Sequence, residues 1–302
     1  MTPMDNATPL IRKLIIVGVG LIGGSLALAL RRAGAVQEII GVGRSEVNLN
    51  KAIEVGAIDS VVSRLSDAAE DADVIVLATP VNTINQHLEE LSVNPSKDVI
   101  ITDVGSVKQD IVLAAKKCLK ERYRNFVPGH PVAGRERSGI DAANPELFKN
   151  HNVVLTPEDG VSPEAVAVVR AMWMATGASI IFMDRKEHDA VLSLTSHLPH
   201  ILAYAMMNYL AGDPNAERCY QMTAGGFYDF TRTASSDPEM WRDISIMNKD
   251  CLLEDIRRFQ GRLGDIAMMI QDGEEAPLEK LFEDARQARS LITERRKFSQ
   301  SS

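Results

Sequence analysis

Apolar runs alternate along the first half of the chain with breaks marked by glycine, proline or charge. "LIIVG" (14–18) is a β-branched run suited to a strand buried on both faces. "LIGGSLALALRRAG" (21–34) has helical composition and a glycine stop, and "EIIGVG" (38–43) predicts the next strand. "AEDADVIVLATP" (69–80) predicts a buried strand ending at Thr79-Pro80, and "KDVIITDVGSVK" (97–108) repeats the pattern. "NFVPGHPVAG" (125–134) reads as a short strand and turn, with His130 on the turn. "HNVVLTP" (151–157) and "ASIIFMD" (178–184) add strands around a helix that begins near Ser162-Pro163, with proline in its first turn. Strands alternating with helices predict an α/β domain on a parallel sheet.

After Asp184 the period changes. Residues 185–298 carry helical periodicity without a strand pattern, interrupted at "AGDPNAE" (211–217) and "QDGEEAP" (271–277). Apolar stripes in "AVLSLTSHLPHILAYAMMNYL" and "DISIMNKDCLLEDIRRFQGRLGDIAMMI" suit packing against other helices, those of a second subunit included. The expected division is a first domain over 1–184 and an all-helical domain over 185–302, ending in a frayed tail at "KFSQSS".

"RKLIIVGVGLIGGSLALALRR" (12–32) admits two readings. Basic residues flank an apolar run as in an export signal, and "AGA" (33–35) can pose as its cleavage site. Against this, Gly18, Gly20, Gly23 and Gly24 interrupt the run where a hydrophobic helix is weakened most. Strand, G-x-G-x-x-G turn, helix and strand within about 30 residues form the dinucleotide-binding unit, so the first domain is expected to be of Rossmann type. Backbone N–H groups around Gly18, Gly20, Leu21, Ile22 and Gly23, with the positive helix end, suit a pyrophosphate.

The acid that often meets the ribose 2′-OH is absent: Gly43 stands in its place, followed by Arg44 and Ser45. A missing carboxylate removes repulsion toward a 2′-phosphate, and Arg44 can grip one with two prongs. The alternative is that Arg44 stacks on adenine or lies in solvent. The balance leans to NADP without excluding NAD. In open parallel sheets the crevice runs along the carboxyl ends of the strands, where Thr79, Pro80, Asp103, Ser106 and His130 fall. Thr79, Pro80 and Asp103 are therefore further cofactor candidates.

Composition narrows the partners. The 302 residues have room for two ordinary domains, and 45% apolar with 25% charged residues is a globular balance. A net charge of −8 argues against a broad grip on nucleic acid. Cys118, Cys219 and Cys251 are few and widely spaced, which fits a reducing, cytoplasmic setting and offers no C-x-x-C metal pair. Beyond residue 32 the long uncharged run at 190–212 is broken by two histidines, a proline and several Ser, Thr and Asn positions, so no stretch reads as the roughly 20 apolar residues that span a bilayer. A small-molecule substrate is expected, with neither nucleic acid nor membrane as partner.

Three clusters can carry chemistry. His130, between two prolines in "PGHPVAG", titrates in the range a base needs to take an alcohol proton, although a turn histidine is often structural. In "SHLPH" (196–200), Pro199 predicts a kink, and Ser196 and His200 share a helix face. His197 lies beside them, and either a hydrogen-bonded core pair or a substrate-facing group fits. A metal site through His188, His197 and His200 lacks a fourth ligand and any H-E-x-x-H pattern, so no metal is expected. In "GGFYDFTRTASSDPEMWRDI" (225–244), Asp237-Pro238 marks a helix start, and Arg232 is either a surface residue or a carboxylate clamp.

"GVGLIGGS", "ATP", "TDVGSVK", "GHPVAGRERSG", "SHLPH" and "FTRTASSDPEMWRDI", in this order, resemble the prephenate dehydrogenase family with its arogenate and cyclohexadienyl members. The likeness covers about residues 13–260. It implies oxidative decarboxylation of prephenate to 4-hydroxyphenylpyruvate, or of arogenate to tyrosine, with hydride passing to NAD(P). It further implies that His130 is the base at the ring hydroxyl and that Ser106 contacts the same hydroxyl and holds the geometry of His130. Arg232, with Asp229 near it, would grip a carboxylate, and His200, Ser196 and His197 would lie near the substrate side chain. His188 and Glu136 would line or gate the pocket, and Trp241 would come across a dimer interface, the helical halves intertwining as a homodimer.

Arg135 and Arg137 in "GRERSG" depart from the usual pattern of that wall. No room is expected for a fused mutase or a separate regulatory domain, and the preference between prephenate and arogenate turns on one or two contacts. Two other readings compete. One is a different small-acid dehydrogenase using a lysine, for which Lys186 in "RKEHD" is the candidate; the other is a nucleotide sensor without turnover.

Overall fold

Six short runs form one parallel sheet: β1 (Ile11–Val17), β2 (Val36–Val42), β3 (Ser60–Val62), β4 (Val74–Leu77), β5 (Ile100–Asp103) and β6 (Phe126–Val127). The computed structural model describes residues 9–69, 71–93, 98–134 and 137–301. Helices α1 (Leu21–Arg32), α2 (Glu46–Glu54), α3 (Leu65–Ala69), α4 (Ile84–Ser92) and α5 (Gln109–Leu119) connect the strands. The strand order β3-β2-β1-β4-β5-β6 reverses direction between β1 and β4, where a doubly wound sheet opens its ligand crevice. Strand β3 was not anticipated, because two of its three residues are exposed and its apolar pair, Val61-Val62, is too short to stand out.

Period-two alternation explains the layers. Leu14 and Ile16 of β1, with Val74 and Val76 of β4, face one core, which α1 and α6 (Pro163–Ala175) cover with Leu26, Leu30, Val169 and Trp173. Ile15, Val17, Ile75 and Leu77 face the other, covered by Leu88 of α4 and Ile111 and Ala115 of α5. Both faces of the sheet are dry, which is why its strands read as unbroken apolar runs.

The strands expected near 151 and 178 do not extend this sheet. Strands β7 (Gly129–Pro131), β8 (Asn152–Leu155) and β9 (Ser179–Phe182) make a second sheet, β7 antiparallel and β9 parallel to β8. Pro128 separates β6 from β7, has no N–H for the first ladder, and gives its carbonyl to Thr156 N–H (3.0 Å). His130 accordingly sits within strand β7 opposite Val154, not on a turn, and is 8% exposed.

Beyond Asp184, which caps α7 (Arg185–Leu192) by accepting from Lys186 N–H (2.8 Å), the described residues are helical. The kink expected at Pro199 is a π-helical turn, Ser193–His197, ahead of α8 (Leu198–Ala211). Then come α9 (Ala216–Gln221), α10 (Gly225–Thr231), a 3₁₀ turn Arg232–Ser235, and α11 (Pro238–Met247), capped by Asp237 accepting from Met240 N–H (2.9 Å). Trp241 and Ile244 of α11 join the second core.

Two compact units emerge, Met1–Asn248 and Lys249–Ser302. The second is the helix pair α12 (Lys249–Gln271) and α13 (Glu275–Ser301). Helix α13 runs on to Ser301 where fraying was expected; from Glu279 onward it contains neither glycine nor proline to stop it.

Candidate active site

The glycine loop is built by contacts that exclude side chains. Gly18 has φ +94°, and a Cβ there would meet the Ala78 carbonyl oxygen at 2.6 Å; a Cβ on Gly23 would collide with the Gly18 carbonyl. Gly20 faces open space. Helix α1 starts without a side-chain cap and without an acid in its first turn, where Leu21 and Ile22 lie half-buried, so its orphan N–H groups face the cleft. The cleft, about 520 Å³, is lined by Gly18, Gly20, Gly43, Arg44, Ser45, Thr79 and Pro80 among others. Thr79 Oγ1 is buried there without a hydrogen-bond partner. An uncapped helix start, a wall free of Cβ atoms and an orphaned hydroxyl fit a dinucleotide.

Asp103 does not belong to that set. Its carboxylate is fully buried, ion-paired with Lys108 Nζ and accepting from Gly105 N–H (2.8 Å) and Gly129 N–H (3.2 Å). It braces the ends of β5 and β7. Lys108, also fully buried, donates from Nζ to the Gly129 carbonyl (2.7 Å); burial lowers its pKa and the Asp103 charge opposes that.

The loops after β1, β4, β5 and β6 lie side by side at the carboxyl edge, so three strand spacings, about 14 Å in all, separate the first from the last. His130 stands at the far end of this row. Its Nδ1 lies 2.8 Å from His188 Nε2, and His188 Nδ1 lies 2.7 Å from Asp189 Oδ1. Asp189 is held by the start of α5: Lys108 N–H donates to Oδ1 (2.7 Å) and Gln109 N–H to Oδ2 (2.8 Å). Asn248 donates to the Asp189 carbonyl (2.8 Å) and to His197 Nδ1 (3.0 Å). Burial, then the nearby charges of His188, Lys108 and His197, pushes the His130 pKa well below its usual 6.5. Burial lowers His188 as well, against the pull of Asp189, and brings His197 down to about 4. All three imidazoles are neutral at pH 7.

Several expectations need correcting. His188 neither lines nor gates a pocket: it is fully buried behind His130, filling the gap to Asp189. His197 is 1% exposed and turned to Asn248, its Nε2 lacking a well-formed hydrogen bond although the Ser106 main chain is close enough to favour its charged form. Ser106 makes no hydrogen bond to His130; His188 supplies that hold. Trp241 is 7% exposed and packs within its own chain, stacked on His200 at 3.6 Å and edge-on to His197 at 6.0 Å, because α11 docks on the second core. His200 and Ser196 do meet, through His200 Nδ1 and the Ser196 carbonyl (2.9 Å). Arg232 and Asp229 are exposed at the end of α10, and Glu136 and Arg135 lie outside the described residues. Lys186 is exposed at the start of α7. The sequence did not point to Asp189, Lys108 or Asn248. Asp189 had only its adjacency to His188 as a signal, and Asn248 is 51 positions from His197. Among the described residues no three His, Cys, Asp or Glu side chains could hold a metal, and no helix is long and apolar enough to cross a membrane.

A dinucleotide cleft along the carboxyl edge of a parallel sheet, with a buried imidazole at the far end of that row of strands, defines a class: the chain is a nicotinamide-nucleotide-dependent dehydrogenase. Residues 26–182 match the model for the prephenate dehydrogenase nucleotide-binding domain, and 184–284 that for the prephenate dehydrogenase dimerization domain. The chain is 35% identical over 289 residues to the prephenate dehydrogenase of Bacillus subtilis, covering 94% of this chain and 77% of that one. It is 35% identical to the cyclohexadienyl dehydrogenase of Zymomonas mobilis, covering 93% and 96%. The prephenate dehydrogenase of Aquifex aeolicus, solved with hydroxyphenyl propionate and NAD+, superposes with a TM-score of 0.87 at 32% identity, over 96% of this chain and 100% of that one. The chain belongs to the prephenate dehydrogenase family.

Proposed function

We propose that the protein oxidatively decarboxylates prephenate, arogenate or both, yielding 4-hydroxyphenylpyruvate or tyrosine for tyrosine biosynthesis. The observation that carries this reading is His130: a neutral imidazole at the carboxyl edge of a dinucleotide-binding sheet, hydrogen-bonded behind to His188. His130 takes the proton of the ring hydroxyl at Nε2, a contribution of about 10²–10⁴ in rate. A bound nicotinamide would supply the hydride acceptor for the hydroxyl-bearing carbon; as the opposite ring carbon loses CO₂ and the ring becomes aromatic, His130 returns the proton to the phenolate oxygen. Arg232, beside Asp229, grips a substrate carboxylate; Ser106 meets the hydroxyl, and His200 with Ser196 borders the side chain.

Gly18, Gly20, Leu21, Ile22 and Gly23 hold the pyrophosphate, and Thr79 and Pro80 line its path. The NAD+ bound to the Aquifex relative supports a nicotinamide dinucleotide here, and Gly43 with Arg44 favours the 2′-phosphorylated form. Residues 1–184 serve as the nucleotide-binding domain and 185–302 as the substrate and homodimerisation domain. The three free cysteines suit a reducing cytoplasm. The test is a two-by-two kinetic comparison of prephenate and arogenate with NAD+ and NADP+, on the wild type and on His130→Asn. Turnover with at least one acid and a loss of at least about 100-fold in His130→Asn are expected. Near-normal turnover in that variant refutes the assignment.

A further inference from the structure

The proton inventory of the buried chain behind His130 has one solution. An ionised carboxylate only accepts, and Asp189 takes two main-chain N–H groups from the start of α5, so the hydrogen between Asp189 Oδ1 and His188 Nδ1 belongs to the histidine. His188 is fully buried and neutral, which leaves Nε2 with a lone pair. His130 Nδ1, 2.8 Å away, must then carry a hydrogen and donate it. His130 is left with Nδ1 protonated and Nε2 as its basic atom.

We propose that His188 and Asp189 are positioning residues that lock His130 in this tautomer and balance the imidazolium formed when Nε2 takes a proton. The proposal rests on the reading of His130 as the base. When the substrate O–H bond breaks, the proton goes to Nε2 and Nδ1–H stays on His188; no proton need leave the chain, and the Asp189 carboxylate offsets the new charge. The same carboxylate is pinned by Lys108 and Gln109, three residues or fewer beyond Ser106, so the loop after β5 shapes both the cofactor side and the base. Asn248 fixes the Asp189 main chain from α11's end, while the Lys108 and Gln109 N–H groups hold the carboxylate itself.

The experiment is ¹⁵N NMR of histidine-labelled protein with steady-state kinetics on Asp189→Asn. An asparagine whose oxygen keeps the Gln109 N–H turns its amide to His188 Nδ1, giving up the Lys108 N–H bond made at that same position, which would reverse both tautomers and leave His130 with Nε2 protonated. The expected result is Nδ1–H at His130 in the wild type, Nε2–H in the variant, and a fall in kcat of about 10³–10⁴ with KM and cofactor Kd within a few-fold. Wild-type protein with Nε2–H at His130, a measurement independent of whether any variant folds, overturns the proposal. So does an Asp189→Asn enzyme with wild-type kcat. Full activity in His130→Asn beside the expected tautomers would instead overturn the base reading alone.

Discussion

Replacing Gly43 by aspartate tests how the cleft reads its nucleotide. Gly43 follows β2 in the cleft wall, and a Cβ added there would meet Leu49 at 3.4 Å, an ordinary contact, so the backbone admits a side chain. The new carboxylate would reach the ribose. Toward a 2′-OH it accepts a charge-assisted hydrogen bond worth about 1.5–3 kcal/mol. Toward a 2′-phosphate it repels: two charges about 4 Å apart cost ~1 kcal/mol in water and ~4 kcal/mol at a protein-surface dielectric. At about 1.4 kcal/mol per tenfold, the NADP+/NAD+ affinity ratio should fall at least ~60-fold. Arg44→Ala should weaken NADP+ by ~10–100-fold and leave NAD+ within about threefold, since only the phosphate engages the guanidinium's fork. Titration calorimetry with each nucleotide measures both. An unchanged ratio in Gly43→Asp refutes the reasoning; equal weakening of both nucleotides by Arg44→Ala shows that the guanidinium stacks on adenine.

Two further outcomes follow from buried charge. Lys108→Met leaves Asp103 ionised and enclosed, and should cost about 3–5 kcal/mol in denaturant unfolding, most of it regained when Asp103→Asn is added; a loss under about 1 kcal/mol would contradict the buried pair. The histidines set an acid limb on stability. A group whose folded pKa is lowered stays neutral while the unfolded chain binds a proton below pH 6.5, so stability falls as pH drops from 6.5 toward about 4, by up to about 3 kcal/mol for His197. His197→Gln should flatten that slope, and an unchanged profile would show the burial of His197 to be irrelevant.

Local signals carried well from sequence to structure, and long-range pairing did not. The glycine loop and the strands around it were legible because turn, helix start and apolar run are neighbours in the chain. The caps at Ser162, Asp184 and Asp237 are similarly local; a helix start was expected near Ser162-Pro163 and at Asp237-Pro238. The chain from His130 to His188 joins a strand of the second sheet to helix α7 over 58 positions, and no periodicity announces it. Asp103 misled because a carboxylate at a strand end suits a ligand or a brace equally well until Lys108 is seen folded under it. Trp241 was expected across a dimer interface from the family likeness alone, because α11's apolar stripe does not reveal which core it enters.

The short segment from Gly105 to Gln109 serves three masters: it ties down Asp103, holds Asp189, and through Lys108 supports the strand bearing His130. Engineers exchanging parts between related dehydrogenases should therefore expect strong epistasis there. A chimera that crosses over inside those five residues would mix incompatible fittings, whereas one that transplants them together with β7 and α7 keeps the machinery whole.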